Sequence, residues 1–196
     1  TQGLPVEVVV GRAGTGKTYT MNTVREVYEA AGRRLLGVAP SARAARELGD
    51  GAGIEAYTVP RFQTSCAGTQ TSSDVIVIDE AAMTGTNDHW NVCSTARKVG
   101  AKVILVGDHH QLPEVNAGGG FAAALNALGP HAAHLTINRR QHHPWEHTAL
   151  DHLRNGNIAT ACKTYVDHNR VTVPATRARP PPPPRPSTPP HASHSP

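Results

Sequence analysis

The sequence predicts an α/β protein in which a parallel β-sheet is covered by helices on both faces. Short aliphatic runs, most of them apolar throughout, recur along the 196-residue chain. Segments of helical composition separate these runs. Strands that are apolar throughout are buried on both faces, which is typical of parallel sheets, and helical connections are what join parallel strands.

Five strands are expected, and each is a short run of aliphatic residues bounded by turn or polar residues. In chain order they are Val6–Val10, Leu35–Ala39, Asp74–Asp79, Lys102–Val106 and Leu135–Ile137. The first ends in a glycine-rich turn, and the second is followed by Pro40. Residues 49–73 are rich in Gly, Thr and Ser, and we interpret them as a loose, irregular region.

Helices are expected between and after these strands. A short helix follows Ser41 and ends at Leu48, and the others are Thr18–Ala31, Asn87–Val99, Phe121–Leu128, Pro144–Asn155 and Asn157–Asp167. Gly32 suits a C-cap after the first helix, and Gly156 separates the last two. The helices alternate with the first four strands, as the two-layered covering of a parallel sheet requires.

The composition changes after residue 172, so we expect residues 1–172 to form the folded domain and residues 173–196 a tail. Ten of the 16 prolines lie between Pro174 and Pro196, five of them in a row. Such a segment cannot bury a core, and we expect it to be disordered or extended in the polyproline II conformation. It is interpreted as a linker or tail, with binding of a protein partner as the alternative.

The net charge of +4 arises from four arginines that follow Asp167, and three of them lie in this tail. All 15 acidic residues lie at or before Asp167, together with 15 of the 19 Lys and Arg residues, so the preceding chain is formally neutral. The basic character is therefore weak support for nucleic-acid binding. No run approaches the roughly 20 apolar residues of a membrane span, and no signal peptide pattern is present. Three scattered cysteines suit a reducing compartment, so we expect a cytoplasmic protein.

A phosphate-binding loop is predicted at residues 11–18, where GRAGTGKT follows the first strand and precedes the first helix. This order fits the pattern GxxxxGK[ST], in which backbone N–H groups surround the β-phosphate and the helix directs its positive end at the anion. Lys17 supplies a charge for the β- and γ-phosphates, and the Thr18 hydroxyl is a ligand for Mg²⁺. The expected nucleotide-binding residues are Gly11, Arg12, Ala13, Gly14, Thr15, Gly16, Lys17, Thr18 and Tyr19.

Hydrolysis of the nucleotide needs a residue that holds the metal ion and one that orients water. Asp79 and Glu80 directly follow the apolar run VIVI, so a buried strand would present both at its carboxyl end. Asp79 is placed to hold Mg²⁺ and Glu80 to polarise the attacking water. After the next strand, Asp108 and Gln111 can lie beside the γ-phosphate. An arginine pair, Arg139 and Arg140, offers a group that stabilises charge on the transferred phosphoryl.

These blocks together resemble the first motor domain of superfamily 1 DNA helicases of the RecD-like branch, and within it the helicase portion of MobF-type conjugative relaxases. The resemblance covers residues 6–172, with the blocks in the family's order. GRAGTGKT resembles motif I, GVAPSARAARELG motif Ia, AYTVPRF the segment after it and VIVIDEAAM motif II. GDHHQLPEVNAGG resembles motif III, and LTINRRQHHPWEHTALDHLRNGN resembles motif IV with its following helix.

The resemblance implies an ATPase that uses ATP and Mg²⁺ and moves on single-stranded DNA. It implies that Gln111 senses the γ-phosphate, that Arg140 contacts it, and that Glu80 activates water. It also places Pro40, Ser41 and Thr58 on the DNA track, with Arg61 near them in sequence. For Ser41 the alternative is an ordinary helix N-cap.

Two departures from the family pattern affect what the chain alone can do. The adenine-contacting glutamine segment is reduced to Gln2, and the second RecA-like domain that completes such a motor is missing from these residues. We therefore expect that the chain is a fragment, with slow turnover on its own. The alternatives are a free-standing or truncated P-loop ATPase that binds nucleotide and DNA without helicase activity, and a nucleotide kinase. Neither a relaxase active site nor a zinc site is expected from the adjacent histidine pairs.

Overall fold

The structure is a computed structural model, and it describes residues 5–66, 68–108, 119–141 and 143–172. Gln2, Gln111 and the proline-rich segment 173–196 lie outside the described residues, so the predictions made for them stay predictions. The chain divides into two compact units between His147 and Thr148. The predicted 1–172 domain boundary is not tested by this division.

The described residues of the larger unit form a six-stranded sheet, and every pair of neighbouring strands is parallel. The order is β3-β2-β4-β5-β1-β6. The strands are β1 Val6–Gly11, β2 Arg34–Ala39, β3 Glu55–Thr58, β4 Asp74–Ile78, β5 Lys102–Gly107 and β6 Ala133–Leu135. The predicted α/β class with a parallel sheet is confirmed.

Helices connect these strands, as their composition predicts. They are α1 Lys17–Ala30, α2 Ala42–Ala52, α3 Val59–Ser65, α4 Thr86–Val99, α5 Gly120–Leu128, α6 Pro144–Arg154 and α7 Ile158–Asp167. Two short 3₁₀ turns, Ala81–Met83 and Gly129–His131, follow β4 and α5. Helix α7 and the residues of α6 from Thr148 onward belong to the smaller unit, and the predicted break between them at Gly156 is present, with φ +77°.

The interpretation of residues 49–73 as irregular is wrong. Helix α2 continues to Ala52, and β3 and α3 follow within the same stretch. Strand β3 lies at the edge of the sheet and has four residues, none of them buried, so the apolar run that marks the central strands is missing from it. Helix α3 carries a proline in its first turn, where the missing N–H costs no helical hydrogen bond.

The fifth predicted strand is shifted by two residues, because β6 is Ala133–Leu135 and not Leu135–Ile137. It pairs in parallel with the end of β1, with Gly11 opposite Leu135. Ile137 lies beyond the strand and exposes 68% of its surface. The apolar side chain of Ile137 therefore does not indicate a buried position in a strand.

The core lies on both faces of the sheet, because side chains of β4 and β5 alternate between two apolar clusters. One cluster contains Ile76 and Ile78 of β4 with residues of α3, α4 and α5. The other contains Val75 and Val77 with residues of α1 and α2. Helices on both faces are thereby confirmed. No helix among the described residues has the length and apolar character that crossing a membrane requires.

Candidate nucleotide-binding site

A cleft of about 290 Å³ lies at the carboxyl ends of β1, β4 and β5, where the predicted phosphate loop meets the acidic pair after β4. Carboxyl ends of parallel strands share one edge of a sheet, so residues distant in sequence converge there. The cleft is lined by loop residues and by the side chains of Lys17, Thr18, Glu47, Asp79, Glu80, Asp108 and Arg140. The predicted phosphate residues Lys17 and Thr18 therefore meet the predicted metal and water residues Asp79 and Glu80 in one place. Of the other predicted nucleotide-binding residues, Ala13, Gly14 and Gly16 line the cleft, whereas Gly11, Arg12, Thr15 and Tyr19 do not.

The phosphate loop, residues 11–16, has the backbone geometry that its glycines predict. Gly14 and Gly16 have φ of +86° and +79°, in the left-handed region that residues with a Cβ rarely adopt. The loop is closed on itself by Thr15, whose N–H and hydroxyl both donate to the carbonyl oxygen of Arg12, at 3.2 and 2.7 Å. Thr15 is buried, so its role within the predicted site is to support the structure of the loop.

Lys17 begins helix α1 and lies inside the loop. Its ammonium donates to the carbonyl oxygens of Gly11 and Arg12, at 2.9 and 3.4 Å. These acceptors hold the charge beside the loop, where phosphate oxygens can replace them as partners. The first turn of α1 contains no acidic residue, so the positive end of the helix faces the cleft without being neutralised locally.

Asp79 follows β4, and its N–H donates to the carbonyl oxygen of Val38 at 2.9 Å, which fixes the start of the turn. Burial raises the pKa of the Asp79 carboxyl, and a hydrogen bond from the Glu80 N–H and the charge of Lys17 oppose this increase. Its Oδ1 is buried and has no hydrogen-bond partner among the described residues. A buried carboxylate oxygen without a partner fits a cation, and oxygen ligands are those that Mg²⁺ prefers.

Glu80 stands next to this carboxylate in a left-handed backbone conformation, with φ +49°. This conformation is uncommon for a residue with a Cβ and costs about 1 kcal/mol or more. Burial raises the pKa of the Glu80 carboxyl, and the negative charges of Asp79 and Glu47 raise it further. A carboxylate with an elevated proton affinity at the rim of a cleft is suited to accept a proton from water.

The segment after β6 packs directly on the phosphate loop. The Arg139 N–H donates to the carbonyl oxygen of Gly14 at 2.8 Å, and Asn138 Oδ1 accepts from the Arg140 N–H at 3.0 Å. A Cβ on Gly14 would lie 2.7 Å from Asn138 Oδ1. The contact fixes the place of Arg140, whose side chain lines the cleft as predicted.

Arg139 and Tyr19 lie in a different cavity, on the other side of the phosphate loop. This cavity has a volume of about 280 Å³ and is also lined by Thr15, Thr23 and Ile137. Tyr19 exposes 68% of its surface and does not line the phosphate cleft. The structure therefore separates the two arginines of the pair and places only Arg140 beside the acidic residues.

The residues predicted for the DNA track lie at the ends of β2 and β3, which are neighbours in register at Ala39 and Thr58. Ser41 Oγ accepts a hydrogen bond from the Ala44 N–H at 3.1 Å, so its hydroxyl caps α2 as the alternative predicts. Thr58 precedes α3 without a side-chain capping bond. The Arg61 guanidinium lies 5.8 Å from the centre of the Tyr57 ring. Pro40, Ser41, Thr58 and Arg61 do not line the cleft, and their contact with DNA stays a prediction.

Two residues of the site were missed by the sequence interpretation. Glu47 lies on α2 and reaches the cleft from the side, paired with Arg43 at 2.7 Å. Asn138 orients the Arg140 backbone, as described above. Neither belongs to a pattern with fixed spacing, and only the packing of α2 and of the segment after β6 brings them to the loop. Among the described residues, no group of three or more His, Cys, Asp or Glu side chains could hold a metal ion.

A glycine loop between β1 and α1, a lysine inside it and a buried carboxylate at the end of a neighbouring strand define a P-loop NTPase domain. The family comparison agrees. The model of the AAA domain family matches residues 1–176, and the chain belongs to that family.

The relatives include conjugal transfer proteins. The chain is 36% identical over 169 residues to the probable conjugal transfer protein TraA of Sinorhizobium fredii, and 34% identical over 170 residues to conjugal transfer protein TraA of Rhizobium radiobacter. Each alignment covers 85% of this chain and 15% of the relative, so the chain spans only a small part of their length. It is also 36% identical over 120 residues, 57% of the chain and 16% of the relative, to the ATP-dependent RecD2 DNA helicase of Deinococcus radiodurans.

The resemblance to RecD-like helicases and conjugative relaxases, drawn from the motifs, is thereby confirmed. Among solved structures, a complex of an arterivirus nonstructural protein 10 helicase with DNA matches with a TM-score of 0.47 and 15% identity. The match covers 76% of this chain and 40% of the helicase chain.

Proposed function

We propose that the chain is the ATP-binding and ATP-hydrolysing motor domain of a DNA helicase that acts on single-stranded DNA, as part of a conjugative DNA-transfer protein in the cytoplasm. The observation that carries the proposal is the convergence of Lys17, Asp79, Glu80 and Arg140 on one cleft beside the phosphate loop. The similarity to TraA proteins and to a RecD2 helicase supports DNA as the polymer on which the motor acts.

ATP would bind with its β-phosphate inside the loop, where backbone N–H groups and the Lys17 ammonium replace water around the anion. Thr18 and the buried Oδ1 of Asp79 would hold Mg²⁺, which neutralises charge on the phosphates when it is bound. The loop carbonyls that now accept from Lys17 would return to solvent or to neighbouring N–H groups. Binding thus exchanges bonds from the Lys17 ammonium to neutral carbonyl oxygens for bonds to charged phosphate oxygens.

Hydrolysis would then proceed by attack of a water oxygen on the γ-phosphorus. Glu80 accepts the proton of that water, the bond between the γ-phosphorus and the bridging oxygen breaks, and ADP leaves with its terminal oxygen bearing the negative charge. Arg140 lines the cleft and stabilises charge on the transferred phosphoryl, a contribution that reaches about 10³-fold or more in arginine fingers. Unwinding further requires a second RecA-like domain as partner, because movement depends on opening and closing a cleft between two such domains.

The test is ATP hydrolysis by the purified chain, with and without single-stranded DNA. Lys17→Ala, Glu80→Gln and Arg140→Ala should each lower the DNA-stimulated kcat, with Lys17→Ala also raising KM for ATP. Lys98→Ala and Arg97→Ala serve as matched controls, because both side chains lie on α4 away from the cleft. These controls should retain wild-type turnover.

The outcomes separate the proposal from its alternatives. Turnover that DNA stimulates and that the cleft variants lose supports the motor. Binding of a nucleotide and DNA with no turnover under any condition would leave the alternative of a binding module without helicase activity. Stimulation by a small phosphoryl acceptor instead of DNA would overturn the proposal.

A further inference from the structure

We propose that His89 is a positioning residue that holds the turn after Glu80, because its Nε2 donates a hydrogen bond to the carbonyl oxygen of Ala81. The two atoms are 2.8 Å apart, and His89 is 6% exposed. A carbonyl oxygen only accepts, so Nε2 must carry the hydrogen. The consequence for catalysis rests on the proposed function, whereas the contact itself does not.

The turn that His89 contacts carries the residue proposed to activate water. Glu80 is held at φ +49°, and the 3₁₀ turn Ala81–Met83 starts at the next residue. Within the turn, the Met83 N–H donates to Glu80 O at 2.8 Å, and the Thr84 N–H donates to Ala81 O at 3.3 Å. The bond from His89 is the shorter of the two that Ala81 O accepts. Together with the Met83–Glu80 bond of the same length, it keeps this strained turn from relaxing.

The imidazole is also held from its other side, by the first residue of α5. A Cβ at Gly120 would lie 3.0 Å from His89 Cδ2 and 3.3 Å from Cγ, so the helix begins directly against the ring. The backbone N–H of His89 donates to the carbonyl oxygen of Gly85 at 3.0 Å, in the first turn of α4. The ring thus packs against the start of α5 while its Nε2 faces the carbonyl oxygen of Ala81. The histidine links the turn after β4 to the start of α5.

His89 does not line the cleft, so it acts through Glu80 and not on the nucleotide. A competing explanation is that the ring only fills space between α4, α5 and the turn. The two explanations differ in what they demand of the side chain. Space filling needs a group of similar volume, whereas positioning needs an N–H at the place of Nε2.

The variants that separate them are His89→Gln and His89→Leu. The glutamine amide nitrogen reaches about as far from Cα as Nε2 and retains the donor, whereas leucine fills the site without one. His89→Asn is a second loss variant, because its amide nitrogen is too close to the backbone to reach Ala81 O. The readouts are amide hydrogen exchange of Met83 and Thr84, and kcat and KM for ATP with single-stranded DNA.

Exchange should be about tenfold faster at Met83 and Thr84 in His89→Leu and His89→Asn, as expected for the loss of one hydrogen bond, and close to wild type in His89→Gln. The Val92 amide in the middle of α4 should keep wild-type exchange in all three, which shows that the fold is intact. In the same variants kcat should fall about 10- to 100-fold, because a displaced catalytic group costs about that much. KM for ATP should change by less than about twofold, since the phosphate loop is untouched.

The proposal is overturned by unchanged exchange at Met83 and Thr84 in the loss variants, or by His89→Gln behaving like His89→Leu. Faster exchange with an unchanged kcat would refute the part of the proposal that links His89 to catalysis. A wild-type protein that does not hydrolyse ATP would refute the proposed function instead, and the exchange comparison would still decide whether His89 holds the turn.

Discussion

Replacing Asp79 with asparagine should stabilise the protein without nucleotide while removing most of its stabilisation by Mg²⁺ with a nucleotide. The carboxylate is buried, and one of its oxygens has no hydrogen-bond partner among the described residues. An ionised group in such a place costs folding free energy until a cation arrives. The amide of asparagine is neutral and of nearly the same shape, so the cost is smaller in the variant.

The magnitude follows from comparing the two side chains. Leaving a buried polar group unpaired costs about 1–3 kcal/mol, with more for a charged group than for a neutral one. Asparagine keeps an oxygen that can accept from the Glu80 N–H, and it loses the attraction to Lys17, so part of the gain is offset. We expect the free energy of unfolding to rise by about 1–2 kcal/mol at neutral pH, within the range set by that cost.

The pH dependence has a definite sign, because burial raises the pKa of Asp79 in the folded protein. The unfolded chain releases this proton more readily, so ionisation at neutral pH favours unfolding. The difference between variant and wild type should therefore be largest above the folded pKa. It should shrink as the pH falls through the folded pKa, and it should level off below the ordinary pKa of an aspartate, where both the folded and the unfolded state are protonated.

Urea unfolding at several pH values, repeated with Mg²⁺ and a non-hydrolysable ATP analogue, measures both effects. Ligand binding to the folded state stabilises it in proportion to the logarithm of ligand concentration over Kd. Wild type should gain this stabilisation and Asp79→Asn should lose most of it. An asparagine variant that is less stable than wild type without ligand, or that responds equally to Mg²⁺ with the analogue, would refute the assignment of the buried oxygen to a cation.

Three further predictions concern neighbouring residues. Gly14→Ala should lower the free energy of unfolding, measured by urea denaturation, by about 1–2 kcal/mol. The reason is that residue 14 has a φ of +86° and the new Cβ would meet Asn138. The affinity of this variant for nucleotide should fall as well. Ser41→Ala should lower the free energy of unfolding by about 1 kcal/mol, because the helix cap is lost. Ser41→Asp keeps a capping oxygen and should keep stability, but its charge should weaken DNA binding if the hydroxyl also contacts phosphate. Equal DNA affinity in the aspartate variant would show that Ser41 does not lie on the DNA track. Glu47→Gln should lower the pKa of Glu80 and move the acid limb of the kcat/KM profile to lower pH. The shift should be less than about one pH unit, because Glu47 is paired and screened. An acid limb that does not move, or that moves to higher pH, would show that the charge of Glu47 does not raise the pKa of Glu80.

The sequence was sufficient to predict the parts of the site that short, continuous segments build. The phosphate loop needs glycines, a lysine and a threonine at fixed spacing, and Asp79 with Glu80 needs only a buried strand before it. Glu47 could not be found in this way, because its place depends on how α2 packs across the sheet. His89 lies among polar residues of α4 in sequence, and its burial arises from contact with Gly120, 31 positions later.

The same distinction explains which elements were predicted. Central strands such as β4 are apolar after their first residue because helices cover both of their faces, so composition alone reveals them. Strand β3 at the sheet edge has no buried residue, and the proline in the first turn of α3 resembles a loop residue in the sequence. Composition therefore reveals a strand that is covered on both faces, but it does not reveal an edge strand or a short helix with a proline in its first turn.

The strand order explains how an acidic pair can serve a loop on another strand. Strand β5 lies between β4, which carries Asp79, and β1, which carries the phosphate loop. Two strand spacings of about 4.8 Å leave a gap of roughly 10 Å between the two ends, wide enough for a phosphate and a cation side by side. Strand β5 ends at this gap in Gly107, where a Cβ would meet the Ala82 N at 3.1 Å and the Phe121 ring at 3.0 Å. A side chain at position 107 would therefore displace the turn that carries Glu80 or the start of α5, and these are the two elements that His89 joins.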